Sequence, residues 1–187
     1  MFCCSTQGGQ LLIFFAPKQA MESKWTKESI DKMVELCGKG EPPGTYGLKE
    51  TRNLMLALEN IYLKDASVLV IGSERPWVEA CALSQGARKV TTLEYGKITS
   101  LHPQVHTLTP TQMRADPERS QEAFDAVITY SSVEHSGLGR YGDAMNPWGD
   151  RQAVARAWCM TKNQGRLALA VPWCDNDDGI AYNAHRM

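Results

Sequence analysis

The stretch VLVIGSERPW, Val68–Trp77, decides the fold. It begins as an apolar strand, reaches Gly72 and enters a helix near Pro76, which suits the first helical position. In open α/β sheets such a turn lies beyond the C-terminal ends of the strands, where ligands bind. Glycine lets the backbone approach a ligand, and helix N–H groups attract an anion or carboxylate. The stretch therefore predicts that Gly72, Ser73 and Glu74 line a ligand site.

Beyond this stretch, β-rich runs alternate with helical segments. The predicted strands are Ser67–Ile71, Lys89–Leu93, Val105–Leu108, Ala126–Tyr130 and Arg166–Val171. The predicted helices are Thr26–Cys37, Leu48–Leu63, Pro76–Gln85 and Asp150–Thr161. Alternation of this kind indicates parallel βαβ units. We therefore expect an α/β fold, a Rossmann-like three-layer sandwich with a mostly parallel sheet.

The chain of 187 residues suits a single domain with a sizeable core. Residues 1–22 have no clear period and are interpreted as an N-terminal tail. Residues 23–64 are predicted to be a helical N-terminal extension, interrupted by the loop Gly38–Gly47, which is rich in glycine and proline. Residues 65–187 are predicted to form the Rossmann-like domain.

Composition argues against several classes of partner. The formal net charge is −1, from 20 basic and 21 acidic residues, so we expect neither nucleic acid nor a membrane surface as a partner. The apolar run Leu11–Ala16 is too short to cross a bilayer. The six cysteines include no CxxC pair, which predicts neither a zinc site nor a disulfide framework. A reducing compartment and a cytoplasmic location are therefore expected.

An acidic residue at the end of the second strand agrees with the glycine turn. Glu94 follows Gly72 by 22 residues, in VTTLEY, at the position where a carboxylate accepts hydrogen bonds from ribose hydroxyls. Tyr95 follows it and is assigned to the same ligand site. Two plainer interpretations stay open: Gly72 serves only a tight turn, and Glu94 is a solvated carboxylate at a strand end.

The segment FDAVITYSSVEHSGLGRYGD, Phe124–Asp143, leads from a strand into a polar, glycine-rich loop. Residues after this strand face the same crevice, so Ser131 and Ser132 are predicted to line the ligand site. Glu134 and His135 are the candidate catalytic residues, because a histidine can act as a base near neutral pH. The alternative is that Glu134 caps a short helix and His135 packs on the sheet edge.

Two further segments have more than one interpretation. The loop Gly139–Asp150 suits either a closing lid or an ordered surface loop. The carboxylates of VPWCDNDDGIAYNAHRM suit a metal ion or a polyhydroxy substrate, but a hydrated terminal tail is the favoured interpretation. No metal site is predicted.

The residues above resemble class I S-adenosylmethionine-dependent methyltransferases over about Ser67–Pro172. FDAVITYSSVEHS is similar to their FDxVxxxxVLEH pattern. More narrowly, VIGSERPWVEA, GARKVTTLEYGKI, ITYSSVEHSGLGRYGDAMNPWGD and YNAHRM resemble an uncharacterised, methyltransferase-like domain-of-unknown-function family abundant in nematodes. The resemblance implies S-adenosylmethionine as the cofactor, with Gly72, Ser73 and Glu74 at its methionine end and Glu94 at its ribose. The acceptor is expected to be a small molecule that the sequence does not identify.

The chain departs from the methyltransferase pattern in two ways. One glycine, Gly72, remains of the usual GxGxG turn, Pro76 removes an N–H donor, and Glu74 is placed to repel a methionine carboxylate. In addition, about sixteen residues follow the fifth predicted strand, whereas the family's sheet usually has seven. We therefore expect a sheet that lacks its last strands, with an exposed edge that favours self-association.

Three functional hypotheses follow from these features. The leading one is a methyltransferase-like protein, with Glu134 and His135 as its catalytic residues. The second is a catalytically inactive binding or regulatory module that keeps the fold. The third is a nicotinamide-dependent oxidoreductase, which Glu94 would also serve but which the absence of GxGxxG disfavours.

Overall fold

The computed structural model describes residues 5–7, 10–12, 22–44, 46–139, 141 and 143–172. Two short strands, β1 (Ser5–Gln7) and β2 (Gln10–Leu12), pair with each other antiparallel, in the segment interpreted as a tail. The extension then contains β3 (Ser23–Trp25), α1 (Lys27–Gly38) and α2 (Leu48–Ile61). The Thr26 hydroxyl caps α1 by accepting a hydrogen bond from the Ser29 N–H, as expected for a threonine at this position.

The remaining elements alternate between strand and helix. They are β4 (Ser67–Ile71), α3 (Trp77–Ser84), β5 (Lys89–Leu93), β6 (Ile98–Ser100), β7 (Val105–Leu108), α4 (Pro110–Arg114), α5 (Pro117–Ser120), β8 (Phe124–Tyr130), a 3-10 turn (Val133–His135), α6 (Gly149–Met160) and β9 (Thr161–Ala170). Among the described residues, no helix is both long enough and apolar enough to span a bilayer.

Five of these strands form one parallel sheet in the order β7-β5-β4-β8-β9. This order confirms the predicted α/β, Rossmann-like fold. The central strand β4 is an apolar run in which Val68, Leu69 and Val70 are buried, as a strand covered on both faces requires. Because all five strands run the same way, their C-terminal ends meet at one edge of the sheet.

The core has two parts, one on each face of the sheet. One part joins β4 to α1, α2 and α3 through residues such as Ile30, Leu58 and Val68. The other joins the sheet to α4 and α6 through Leu69, Met113 and further apolar residues. Burying a large apolar side chain contributes about 1.5–3 kcal/mol, so this packing explains why the sheet is enclosed between two helical layers.

The aspartate of the FDAV segment acts at the opposite edge from the ligand turn. The Asp125 carboxylate accepts a hydrogen bond of 2.8 Å from the Ser67 N–H, the first residue of β4, and one of 2.7 Å from Lys162. It thereby joins the beginnings of β4, β8 and β9. The Asp125 side chain is thus explained by strand alignment at the N-terminal edge of the sheet.

Three parts of the structure differ from the sequence-based expectation. The short strand β6 was not predicted. It lies between β5 and β7 in the sequence, outside the five-stranded sheet, and pairs in parallel with β3 of the extension. The helices α4 and α5 were not predicted either. Strand β9 begins at Thr161 rather than Arg166, because residues 162–165 lie opposite the single residue Asp125 and form a bulge between the Phe124–Thr161 and Ala126–Arg166 pairs.

The expectation that the cysteines form no disulfide is wrong. Cys37 of α1 and Cys81 of α3 are joined by a disulfide, with their Cα atoms 5.2 Å apart, and both are buried. The two residues are 44 positions apart in the chain and match no spacing motif, so only the packing of α1 on α3 brings them together. Among the described cysteines, Cys159 is free and exposed.

Breaking the disulfide is expected to destabilise the protein by roughly 2–4 kcal/mol, because the open chain gains conformational entropy when it unfolds. Urea denaturation of the wild type with and without a reductant measures this difference. The double variant Cys37→Ala, Cys81→Ala should not respond to the reductant, whereas Cys159→Ala should respond as the wild type does. A wild type that is equally stable in both conditions would contradict the bond.

Candidate functional site

A cavity of about 1030 Å³ lies at the C-terminal edge of the sheet. The residues that follow β4, β5 and β8 form its floor, and the extension and α6 contribute to its walls. Its volume is at the upper end of the range for small-molecule sites. Eight of the nine predicted site residues line it: Gly72, Ser73, Glu74, Glu94, Tyr95, Ser131, Ser132 and His135. Glu134 is not among the lining residues.

Gly72 has a structural requirement for glycine that comes from a neighbouring loop. Its φ of 75° is in the left-handed region, and a Cβ at this position would overlap the side chain of Ser132. Its N–H donates to the Leu93 carbonyl at 3.0 Å. Gly72 therefore serves the tight turn and also lets the loop after β8 approach the loop after β4.

Gly72→Ala is expected to destabilise the protein more than Gly40→Ala, a control with a φ of 72° and no atom within 4 Å of the added Cβ. The backbone penalty should be about 1–2 kcal/mol in both variants. The overlap with Ser132 should add roughly 1–3 kcal/mol at Gly72 alone. Thermal or urea unfolding measures the difference, and equal losses would show that the close approach to Ser132 is unimportant.

The Glu94 carboxylate lies where the sequence predicts, at the end of β5, but it is held by backbone groups. Its Oε1 accepts hydrogen bonds from the N–H of Tyr95 at 2.8 Å and of Gly96 at 3.4 Å. The Ser73 N–H also interacts with the carboxylate and favours its charged form. Burial raises the pKa of Glu94 above its ordinary value, and the charge of Glu74 adds to this effect. The carboxylate is therefore fixed in orientation beside the glycine turn.

Glu79 is a buried acid that sequence reasoning missed. It lies in the first turn of α3 with no exposed surface, and its Oε1 accepts from the Thr92 hydroxyl at 2.7 Å. Its Oε2 is 2.9 Å from the Ser73 hydroxyl, in the predicted ligand turn. Burial raises the pKa of Glu79 to about 7. An acid in a first helical turn usually faces solvent, but α3 is apolar on all sides, which was the available signal.

The proton on Glu79 should make stability depend on pH. Both states of the protein hold the proton below about pH 4.5, only the folded state holds it up to about pH 7, and neither holds it above that. The stability that Glu79 contributes therefore falls as the pH rises through this interval. Relative to Glu79→Gln, we expect the wild type to lose roughly 2–3 kcal/mol between pH 5 and pH 8.

Urea denaturation of both proteins at each pH measures this loss, because groups common to the two cancel in the difference. A difference that does not change with pH would show that Glu79 titrates normally.

The loop after β8 places the two candidate catalytic residues differently. His135 lines the cavity and makes an edge contact with the Tyr141 ring, whereas the Glu134 carboxylate turns inward. Glu134 Oε1 accepts from the Ser131 hydroxyl at 2.8 Å and lies 3.6 Å from His135 Nε2. Among the described residues, Glu134 Oε2 has no hydrogen-bond partner although it is buried. Ser131 has a left-handed φ of 47°, a strained conformation of the kind found at functional sites.

The loop Gly139–Asp150, interpreted as a lid or an ordered loop, is fastened at its base. The Asp143 carboxylate accepts from the N–H of Gly137 at 2.6 Å and of Tyr141 at 3.3 Å. Gly137 and Gly149 pack backbone against backbone, leaving no room for a Cβ on either. Because Tyr141 and Asp143 also line the cavity, this loop forms part of its wall. The carboxylates of Asp175, Asp177 and Asp178 lie outside the described residues.

An aromatic cluster that the sequence did not predict lines another part of the cavity. The rings of Tyr46, Trp77 and Tyr130 contact one another with centroids 4.9–5.2 Å apart. They come from the extension, α3 and β8, so sequence spacing gives no sign of their meeting. Arg114 of α4 and Arg156 of α6, both exposed, also line the cavity. The cavity therefore presents both aromatic and cationic side chains.

The family match covers the whole five-stranded sheet and most of this cavity. A family model described as "Caenorhabditis protein of unknown function, DUF268" matches residues 65–187, which is about two thirds of the chain. The chain belongs to the DUF268 family. This match confirms the resemblance to a nematode family of unknown function. No curated protein matches the chain.

The DUF268 segment begins just before β4 and contains all five strands of the sheet. The nine predicted site residues, Glu79 and the two arginines all lie within it. In contrast, the walls formed by Trp25, Met33 and Tyr46 precede it. The DUF268 segment thus supplies the floor of the cavity, and the extension completes it.

Proposed function

We propose that this protein binds S-adenosylmethionine and acts as a methyltransferase on a small molecule. The observation that carries the proposal is the cavity at the C-terminal edge of the sheet, with a glycine turn after β4 and a carboxylate after β5. Ligands of open α/β sheets bind at this edge, where the strand order reverses. A fixed carboxylate suits two neighbouring ribose hydroxyls, since it only accepts hydrogen bonds.

Each predicted residue has a role in this proposal. Gly72, Ser73 and Glu74 would line the methionine end, Glu94 would hold the ribose, and Tyr95, with Ser131 and Ser132, would line the rest of the cofactor site. The cofactor supplies a methyl group that is already activated on sulfur. The protein therefore mainly aligns the acceptor, and sometimes removes a proton from it.

His135 is the candidate base because it lines the cavity. Glu134 is better suited to a supporting role, since its carboxylate accepts from Ser131 and lies 3.6 Å from the His135 ring. Such a carboxylate can hold the imidazole in one orientation. His135→Ala should therefore reduce methyl transfer more than it reduces cofactor affinity.

The inactive binding module remains the second candidate, and one observation favours it. The N-terminus of α3 offers few free donors, because Pro76 has no N–H and the Trp77 N–H bonds to the Arg75 carbonyl at 2.8 Å. The exposed Glu74 adds a negative charge to the same turn. These features weaken the usual attraction of a helix N-terminus for an anionic group, and so favour a module that has lost the cofactor chemistry.

Calorimetric titration of the folded protein with S-adenosylmethionine, S-adenosylhomocysteine and NAD tests the proposal. We expect both adenosyl compounds to bind and NAD to bind weakly or not at all. If they bind, a panel of small acceptors then separates an enzyme from an inactive module. If a well-folded sample binds none of the three, the proposed cofactor is wrong for this chain.

Glu94→Ala is expected to weaken S-adenosylhomocysteine binding at least tenfold, because hydrogen bonds from ligand hydroxyls to a charged group contribute roughly 1.5–3 kcal/mol each. Glu59→Ala, which removes an exposed carboxylate from α2, is the matched control and should bind as the wild type does. The same titration measures both variants. Unchanged affinity in Glu94→Ala would remove the ribose assignment.

A further inference from the structure

The buried hydroxyls around Glu79 make more oxygen contacts than they have protons. Ser73 Oγ is 2.9 Å from Glu79 Oε2 and 2.8 Å from the Arg75 carbonyl oxygen, and Thr92 Oγ1 is 2.7 Å from Glu79 Oε1. Each hydroxyl has one proton to donate. Two hydroxyl protons therefore serve three oxygen–oxygen contacts.

A third proton would satisfy all three contacts. If Glu79 is ionised, Ser73 can donate either to its carboxylate or to the Arg75 carbonyl, and the other contact brings two lone pairs within 2.9 Å. If Glu79 carries a proton on Oε2, it donates to Ser73, Ser73 donates to the Arg75 carbonyl, and Thr92 still donates to Oε1. A buried polar group without a partner costs about 1–3 kcal/mol, so the protonated arrangement is favoured.

We propose that Glu79 is a positioning residue for the ligand turn: it holds a proton in the folded protein, and the chain from Glu79 through Ser73 to the Arg75 carbonyl keeps the turn in its binding conformation. Glu79 does not line the cavity. Its effect on the turn passes through the Ser73 hydroxyl, and the N–H of the same serine interacts with the Glu94 carboxylate. The two acids are thus connected by one serine.

The surroundings of Glu79 support a retained proton. Burial has the largest effect on the pKa of Glu79 and raises it. The charge of Glu94, at the end of β5, raises it as well. The charge of Glu74, in the ligand turn, raises the pKa of Glu94. Hydrogen bonds from the Thr92 and Ser73 hydroxyls, and from the N–H of Glu79 itself, lower its pKa. When the pH rises and Glu79 loses its proton, Ser73 can no longer form both hydrogen bonds. The series of hydrogen bonds from Glu79 to the Arg75 carbonyl is then interrupted, and the turn loosens.

Glu79→Gln is an informative variant because glutamine imitates the protonated acid. Its carbonyl oxygen can accept from Thr92 while its amide donates to Ser73, at any pH. NMR spectra of the ligand-free protein between pH 5.5 and pH 8.5 follow the Glu79 carboxyl carbon and the N–H groups of residues 72–75 and 77. In the wild type, these N–H signals should shift together with the Glu79 carboxyl. In Glu79→Gln they should not shift over this range.

The ligand experiment rests on the proposed function. Titration with S-adenosylhomocysteine should show that wild-type affinity falls about tenfold from pH 6 to pH 8, if the ionised form does not bind. Glu79→Gln should lose this dependence and keep the low-pH affinity. Ser73→Ala should bind weakly throughout. Ionisable groups that the wild type and Glu79→Gln share affect both proteins, so the comparison isolates Glu79.

The outcomes separate the two proposals. A carboxyl that titrates near pH 4.5, or N–H signals that ignore its titration, overturns the positioning role whether or not a ligand binds. Affinity that changes with pH equally in the wild type and in Glu79→Gln overturns it as well. Absence of S-adenosylhomocysteine binding overturns the proposed cofactor, while the ligand-free NMR titration still decides the role of Glu79.

Discussion

The central position of β4 is the constraint on which the rest of the structure depends. Its backbone pairs in parallel with β5 on one side and β8 on the other, and its side chains are buried on both faces. This burial requires helices above and below the sheet. It also brings the loops after β4, β5 and β8 to one edge, where Gly72 contacts Ser132 and the Ser73 N–H acts on Glu94. The cavity is a consequence of that pairing.

Much of this arrangement could be predicted from the sequence because it depends on local patterns. The apolar runs identified all five strands of the sheet, and glycine and proline marked the turn that begins α3. The parallel topology then placed eight of nine predicted residues around one cavity. Glu134 is the exception, since its carboxylate turns towards Ser131. A strand end fixes where a side chain starts, but packing fixes where it points.

The features that could not be predicted depend on contacts between distant segments. The disulfide needs α1 to pack on α3, the aromatic cluster joins three separate elements, and β6 forms only because β3 lies beside it. Glu79 belongs to the same class. Its sequence position suggested solvent, but burial of α3 on all sides gave the carboxyl two hydroxyl neighbours instead.

The pairing of β3 with β6 has a consequence for the order of assembly. Residues 23–25 leave the ribosome long before residues 98–100, with which they form a parallel ladder. During synthesis the extension must wait for more than seventy residues to follow before its partner strand exists. Contacts of such high sequence separation form slowly. The part of the cavity wall that comes from the extension therefore depends on a pairing between distant segments of the chain, which a local change in either segment can undo.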